Sequence, residues 1–106
     1  MCDPYEKLTS SIDQMFRLFG RRWSSQILLE INRGNLRYSQ LERALPSMSS
    51  RTLSARISDF QRFGIISASH RDKIGVTYQL TEKGKELMNI YNSVATFSIR
   101  WDSVAY

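Results

Sequence analysis

Three arginines share one short stretch with small hydroxyl side chains. Residues 49–64 read SSRTLSARISDFQRFG and contain Arg51, Arg56 and Arg62. A guanidinium group can make two parallel hydrogen bonds to the edge of a guanine, or it can bind a phosphate. Small Ser, Thr and Ala side chains leave the backbone free to approach such a ligand. These residue types predict contact with nucleic acid, and the alternative is the solvated side of an amphipathic helix.

The positive charge of the chain is concentrated around this stretch. The 106 residues carry a net charge of +5. Residues 33–73 hold eight basic and three acidic side chains, whereas the rest of the chain holds seven of each. A local basic excess is typical of proteins that bind nucleic acid. A solvated surface without a partner is the alternative for the charge alone.

Residue types that perform catalysis or bind metals are scarce. The chain has one histidine, His70, and one cysteine, Cys2, and these lie far apart in the sequence. We find no nucleophile–base pair, no cluster of metal ligands and no glycine-rich phosphate loop. We therefore predict that the protein is not an enzyme and uses no metal or cofactor. Cys2 is interpreted as a reduced surface thiol, and a redox role is the weaker alternative.

Helical periodicity predicts where the arginines point. Leu53, Ile57 and Phe60 recur at i, i+4 and i+7, so they share one side of a helix. Arg51 falls on the opposite side at about 100° per residue. A buried arginine face would be costly, and this side must therefore face outward. We predict a helix over about residues 49–63.

Shorter elements surround this helix. Before it, residues 39–42 (SQLE) fit a capping box that opens a short helix, and residues 36–38 are interpreted as one extended strand. After it, residues 65–70 and 76–80 alternate and are rich in β-branched side chains, which predicts a β-hairpin with a basic tip. Two short helices followed by a hairpin form the winged helix-turn-helix arrangement.

Two helices are expected before this core and one after it. Ser11 is predicted to cap the first helix, with Gln14 reaching back to it and Gly20 ending it. A second helix is predicted over about residues 23–33. Thr81 is predicted to cap the last helix.

The first and last helices carry more apolar side chains than a small domain can cover. A large exposed apolar patch is unusual on a monomer, so we predict that the protein forms a homodimer through these helices. Folding of the last helix back onto its own domain is the alternative. The predicted interface comprises Ile12, Met15, Phe16, Phe19, Leu87, Ile90, Tyr91, Val94, Phe97 and Trp101.

Several motifs occur in the order and spacing of a known family. They are GRRW at residues 20–23, LRYSQL at 36–41, LPSMSSRTLSAR at 45–56 and VTYQLTEKG at 76–84. With these motifs, which cover most of the chain, the sequence resembles the HxlR-type winged-helix transcription regulators; LTEKG alone occurs in several winged-helix families. The resemblance implies a homodimeric prokaryotic regulator that binds an inverted repeat in double-stranded DNA.

One feature departs from a branch of that family. Its redox-sensing members carry a cysteine, often before a proline, at the start of the first helix. Counted back from the GRRW motif, that position is Thr9, which Ser10 follows. Cys2 lies seven residues earlier and precedes Asp3, so the pair is missing here.

The winged-helix arrangement assigns a role to each polar residue of the core. Arg51, near the start of its helix, is predicted to read a base, and Arg56 is predicted to reach the DNA backbone. The wing, at about residues 70–76, is expected to contact flanking DNA. The predicted DNA-binding residues are Arg37, Ser39, Ser49, Ser50, Arg51, Thr52, Ser54, Ala55, Arg56, Ser58, His70, Arg71 and Lys73.

The sequence as a whole predicts a single domain over residues 1–106 with an α+β, mostly helical fold. Its DNA-binding core and wing span about residues 36–80, and dimerisation helices span about 1–20 and 81–106. The predicted function is a sequence-specific DNA-binding transcription regulator. An architectural or nucleoid DNA-binding protein and a winged helix that binds other proteins are the alternatives. With no signal-peptide core and no apolar run of the ~20 residues that cross a membrane, we expect a cytoplasmic protein with no membrane partner.

Overall fold

A computed structural model describes residues 3–21, 23–34, 36–71 and 75–102. Within these residues, five helices and one antiparallel hairpin follow each other in the order of a winged helix-turn-helix, which confirms the predicted mostly helical α+β fold. They are α1 (Pro4–Phe19), α2 (Ser24–Asn32), α3 (Tyr38–Ala44), α4 (Ser50–Arg62), β1 (Ile66–Arg71), β2 (Gly75–Leu80) and α5 (Glu82–Trp101). Cys2 and Lys73, which were singled out in the sequence, lie outside the described residues.

A cluster of buried apolar side chains joins α2, α3, α4, β1 and the start of α5. The predicted inner face of α4 is confirmed, because Leu53, Ile57 and Phe60 are all buried there. They pack with residues from every one of the other four elements. The cluster consists of Ile27, Leu28, Ile31, Leu41, Leu45, Leu53, Ile57, Phe60, Ile65, Ile66, Leu87 and Met88.

Both ends of α4 are determined by local signals that the sequence shows. At its start, Ser49 is the N-cap, and its hydroxyl accepts a hydrogen bond from the Thr52 backbone N–H at 3.1 Å. After its end, Gly64 has φ of 73°, a left-handed conformation that glycine adopts without steric cost. The helix is therefore positioned as the sequence predicts.

The hairpin that follows α4 has a regular register. His70 pairs with Val76 and Arg71 pairs with Gly75, so these residues lie at the tip end of the hairpin. The predicted strand at residues 36–38 is wrong, because Tyr38 begins α3. Leu36 nevertheless contacts the hairpin, since its carbonyl accepts a hydrogen bond from the Tyr78 N–H at 2.7 Å.

The first helix begins earlier than the sequence indicated. Asp3 is the N-cap and accepts a hydrogen bond from the Tyr5 N–H at 3.1 Å, and Pro4 occupies the first turn. Ser11 therefore lies inside α1, as does Thr9. Proline at the first helical position is a start signal in its own right, because its missing N–H has no partner to lose there.

The capping box of α3 also differs from the prediction by two positions. The side-chain oxygen of Gln40 accepts hydrogen bonds from the N–H groups of Leu36 at 2.9 Å and Arg37 at 3.0 Å. Arg37 is the N-cap, and Ser39 is therefore an exposed residue of the first turn.

The last helix begins where the sequence predicts. The Thr81 hydroxyl accepts a hydrogen bond from the Gly84 N–H at 3.0 Å and donates to the Gly64 carbonyl at 2.6 Å. The Thr81 backbone N–H donates to the Ile65 carbonyl at 3.1 Å. Thr81 thus caps α5 and fixes it to the start of the hairpin. None of the helices described here is long and apolar enough to cross a membrane.

Candidate nucleic-acid interface

The outer face of α4 presents an arginine without competing partners in its first turn. Arg51 is exposed, as the periodicity predicted, and so are Ala55 and Ser58. Among the described residues, none forms an ion pair or hydrogen bond with the Arg51 guanidinium. Its five N–H donors are thus turned toward solvent, at a helix end whose dipole favours anions.

The hydroxyl groups around Arg51 are engaged within the protein. The Ser49 hydroxyl lies 3.0 Å from Thr52 Oγ1, and the Ser50 hydroxyl donates to Glu42 Oε2 at 2.9 Å. Ser54 Oγ lies 3.0 Å from the hydroxyl of Tyr38. These side chains hold the start of α4 in place, so the geometry gives them a positioning role beside the DNA-contacting role predicted from the sequence.

Tyr38 and Glu42 connect α3 to α4, a role in the site that was not predicted from the sequence. The Tyr38 hydroxyl donates to the Ser50 carbonyl at 3.0 Å, in addition to its contact with Ser54. Together with the Glu42–Ser50 hydrogen bond, this fixes the first turn of α4 against α3. No local sequence pattern reveals the link, because Tyr38 and Ser54 are 16 positions apart.

Arg56 occupies a different environment from Arg51. Its side chain is only 21% exposed, and its Nη1 lies 3.5 Å from Asp59 Oδ2. Its Nε is buried and has no hydrogen-bond partner among the described residues. Arg56 therefore lies near the boundary of the core, and the Asp59 carboxylate already contacts its guanidinium group.

Asp59 is the acidic centre of this part of the helix, and sequence reasoning missed it. Its carboxylate forms ion pairs with Arg21 at 3.0 Å, with Arg56 and with Arg62. We refer to Asp59, Arg21, Arg56 and Arg62 as the Asp59 cluster. Arg21 comes from the α1–α2 junction, 38 positions before Asp59, so no local pattern reveals their contact.

The remaining predicted DNA contacts lie at the start of α3 and on the hairpin. Arg37 and Ser39 are exposed beside the first turn of α3. His70 is exposed on β1, and the backbone of Arg71 pairs with that of Gly75 at the tip end. Lys73 is outside the described residues. No group of three or more His, Cys, Asp or Glu side chains in the described part of the chain is arranged to hold a metal ion.

The terminal helices present two exposed apolar stripes. On α1, Phe16 is 70% exposed, and on α5, Phe97 is 62% exposed. Along each stripe, apolar residues recur at alternating intervals of three and four positions, the spacing typical of helices that pack side by side. The stripe of α1 consists of Tyr5, Leu8, Ile12, Met15 and Phe19 with Phe16 beside it, and that of α5 consists of Leu87, Ile90, Val94, Phe97 and Trp101.

Three of the predicted interface residues are not freely exposed, and two exposed ones were missed. Leu87 is buried in the domain's own core, so it has little surface left for a partner. Phe19 and Tyr91 are half-buried against that core. Tyr5 and Leu8 are exposed on α1 but were not predicted, because Ser11 was taken as the start of that helix.

The chain matches the HxlR-like helix-turn-helix family over residues 18–105. It is 29% identical over 103 residues to the HTH-type transcriptional regulator YvaP of Bacillus subtilis, covering 95% of this chain and 89% of YvaP. It is 30% identical to the HTH-type transcriptional regulator sll1512 of Synechocystis sp., covering 85% of this chain and 68% of the relative.

A solved structure has the same fold. The reduced form of the transcriptional regulator YodB from B. subtilis aligns over 100% of both chains with a TM-score of 0.81 and 21% identity. The resemblance found in the sequence motifs is thus confirmed at the level of family and fold. The chain belongs to the HxlR-like helix-turn-helix family, and the relatives that match it are transcriptional regulators rather than enzymes.

Proposed function

We propose that this DNA-binding regulator acts as a homodimer that reads an inverted repeat, with α4 of each subunit in the major groove. The observation that carries the proposal is the exposed guanidinium of Arg51 in the first turn of α4. In helix-turn-helix proteins it is the start of the second helix that contacts base edges. Arg51 has the length and donor geometry for the O6 and N7 atoms of a guanine.

The hydrogen bonds around α4 support this placement. A base contact demands that the helix start be fixed, because a bidentate hydrogen bond tolerates little displacement. Tyr38 and Glu42 hold Ser50, the residue immediately before Arg51, through two separate hydrogen bonds. The first turn of α4 is thereby positioned by α3, which is the role of the first helix of such a pair.

The proposed wing supplies the second contact to each half-site. His70 and Arg71 lie at the tip end of the β1–β2 hairpin, and Lys73 follows Arg71 by two positions in the sequence. Basic side chains at such a tip suit the phosphates or minor groove beside the site read by α4. These contacts contribute affinity that depends on salt and little on sequence.

The exposed stripes on α1 and α5 support the homodimer. Phe16 and Phe97 would be unfavourably hydrated on a monomer, and pairing of these helices with those of a second subunit buries them. A two-fold symmetric dimer presents two α4 helices to two half-sites of opposite orientation. We propose that it works in the cytoplasm of a prokaryotic cell, where the DNA is accessible.

Selection from a pool of random duplexes tests the proposal. We expect an enriched inverted repeat whose half-site centres are about one helical turn (~34 Å) apart. Arg51→Ala should relax the preference at one base position of each half-site and weaken specific binding by about 1–3 kcal/mol. Arg51→Lys keeps the charge but loses the bidentate geometry, so it should also relax that position.

Arg33→Ala is the matched control, because Arg33 is an exposed arginine at the end of α2 that pairs with Glu30. It removes the same charge and should leave the recovered sequence unchanged. An Arg51→Lys protein with unaltered preference would assign Arg51 to a phosphate. A pool that binds with a steep salt dependence but without enrichment would favour an architectural DNA-binding protein.

A further inference from the structure

The α1–α2 junction is joined through one carboxylate to α4, the proposed recognition helix. Asp59 Oδ2 lies 3.0 Å from Nη1 of Arg21, and the Asp59 side chain is only 13% exposed. The other ion pairs found between described residues connect positions three apart on one helix. The Arg21–Asp59 pair therefore differs from them in joining two separate parts of the fold.

The junction that carries Arg21 is itself held in a defined conformation. Trp23 has φ of 77°, a left-handed backbone conformation that a bulky residue adopts only where its surroundings impose it. The buried hydroxyl of Ser24 donates to the Leu18 carbonyl at 3.2 Å, which ties the start of α2 to the last turn of α1. The direction in which α1 leaves the domain is thus fixed next to Arg21.

The charges of the Asp59 cluster make this link depend on one residue. Three guanidinium groups surround a single carboxylate, so the cluster carries an excess of two positive charges while Asp59 is ionised. Without that carboxylate, Arg21 and the two arginines of α4 would repel one another. Removing it should therefore push the junction and α4 apart rather than merely weaken their contact.

We propose that Asp59 is a positioning residue that sets the separation of the two recognition helices in the dimer. It fastens α4 to the junction from which the dimerisation helix α1 departs, so the geometry of the dimer determines where each α4 lies. This inference rests on the proposed function. It adds that the spacing between half-sites is read through Asp59, which itself contacts no DNA.

The test compares three duplexes made from the selected operator: the full inverted repeat, an isolated half-site, and the repeat with one base pair inserted between its half-sites. We expect Asp59→Asn to bind the half-site as well as the wild type does. On the full repeat it should lose roughly tenfold in affinity, because simultaneous binding to two sites depends on their geometry. It should also lose the discrimination against the inserted base pair.

The change in charge makes this result diagnostic. Asp59→Asn raises the net charge of each subunit by one, which favours DNA binding in general. A specific loss on the full repeat therefore runs against the electrostatic effect. Dimer dissociation, measured by sedimentation equilibrium, and thermal unfolding should be followed in parallel so that a weaker dimer or a less stable fold is recognised.

Arg21→Ala and Arg62→Ala are the companion variants. Both remove a partner of Asp59, but Arg62 lies on α4 itself, so only Arg21→Ala separates α4 from the junction. We expect Arg21→Ala to behave like Asp59→Asn. The double variant Arg21→Ala/Asp59→Asn should lose no more affinity for the full repeat than either single variant does. Arg62→Ala should keep the wild-type preference for the spacing between half-sites. Because Arg21 is half-exposed, Arg21→Ala carries the test should Asp59→Asn fail to fold.

Several outcomes would overturn the inference. If Asp59→Asn lost the same affinity for the half-site and for the full repeat, the substitution would have disturbed α4 locally. Arg21→Ala could instead bind the half-site more weakly, with the slope of log affinity against log salt concentration reduced by about one. That result would indicate that Arg21 contacts a phosphate directly. Failure of the wild type to select any repeat would instead contradict the proposed function, which keeps the two failures distinguishable.

Discussion

The ring of Phe19, at the end of α1, meets the ring of Tyr91 of α5 edge to face, with the centroids 6.0 Å apart. Such a geometry is favourable for aromatic pairs, and it connects the two terminal helices within one subunit. From this contact α1 extends back to Tyr5 and α5 extends forward to Trp101. The two exposed apolar stripes therefore lie on helices that contact each other within the subunit.

Substitution of Phe97 or Phe16 by aspartate should dissociate the proposed dimer. Both side chains are largely exposed in the single subunit, so the change costs little there, whereas a carboxylate buried between two subunits would be strongly unfavourable. Sedimentation equilibrium over a range of concentrations should show a monomer. Leu29→Asp on α2 is the control, since Leu29 is an exposed leucine outside both stripes. If Phe97→Asp dimerised with the same dissociation constant as the wild type, the interface would lie elsewhere.

Tyr91→Phe should stabilise the protein at neutral pH. The Tyr91 hydroxyl is buried and has no hydrogen-bond partner among the described residues, so its removal relieves a desolvation cost. We expect a gain of about 1 kcal/mol in the free energy of unfolding, measured with urea. A loss of stability would mean that the hydroxyl finds a hydrogen-bond partner in the second subunit of the proposed dimer.

The alkaline stability of the same variant gives an independent check. Burial raises the pKa of Tyr91 from 10.0 to about 12. A group whose pKa is higher in the folded state contributes stability that is fully present below the unfolded pKa and is lost as the pH rises through the folded pKa. The wild type should therefore lose stability between about pH 10 and pH 12 in part through Tyr91. The free energy of unfolding of Tyr91→Phe should fall less steeply with pH over that range.

The parts of the fold that sequence predicted well are those with strong local signals. Ser49 and Thr81 are N-caps followed by apolar periodicity, and both helices begin there. The start of α1 was wrong because two signals compete. Ser11 and Gln14 fit a capping box, whereas the observed N-cap is Asp3, which Pro4 follows. Capping signals inside a helix are not distinguishable from real ones by their spacing alone.

The candidate site was predicted in its residue types but not in its connections. Arg51 is exposed on α4 as the periodicity required, since a face is a local property. The Arg21–Asp59 ion pair and the Tyr38–Ser50 hydrogen bond join residues 38 and 12 positions apart. Such pairs depend on how helices pack against each other, which hydrophobic periodicity does not specify in detail.

Gly84→Ala should destabilise the domain through a steric clash. A Cβ atom at this buried position of α5 would lie 2.2 Å from the Ile65 carbonyl oxygen, a backbone atom that cannot move aside without displacing the hairpin. We expect a loss of about 3 kcal/mol or more in the free energy of unfolding. Gly64→Ala is the comparison, because nothing lies within 4 Å of its added Cβ and only its φ of +73° opposes the change.

Urea unfolding of the two variants separates the two causes. Gly64→Ala should cost about 1–2 kcal/mol, the usual penalty for a left-handed conformation in a residue with a Cβ. Equal losses for both glycines would show that α5 can shift away from Ile65. The close approach of α5 to the start of the hairpin would then be less tightly packed than the distance indicates.

Tyr38→Phe should weaken DNA binding without touching a DNA-facing side chain. The change deletes the hydroxyl that donates to the Ser50 carbonyl and contacts Ser54 Oγ, both at 3.0 Å. The hydrogen bond between Glu42 and Ser50 then remains as the link described above between the start of α4 and α3. We expect a loss of about 1 kcal/mol in stability. Affinity for the selected operator should fall severalfold, while binding to unrelated duplexes stays the same, because the phosphate contacts tolerate a displaced helix better than a base contact does.

Two further variants show whether the effect comes from this hydroxyl in particular. Ser54→Ala removes one of its two contacts and should give a smaller loss than Tyr38→Phe. Tyr78→Phe, on β2, removes a hydroxyl that makes no hydrogen bond to another described residue, and it should bind the operator as the wild type does. Titrations of a labelled operator and a scrambled duplex at one salt concentration measure all three variants. Unchanged operator affinity in Tyr38→Phe would mean that Glu42 alone orients the first turn of α4.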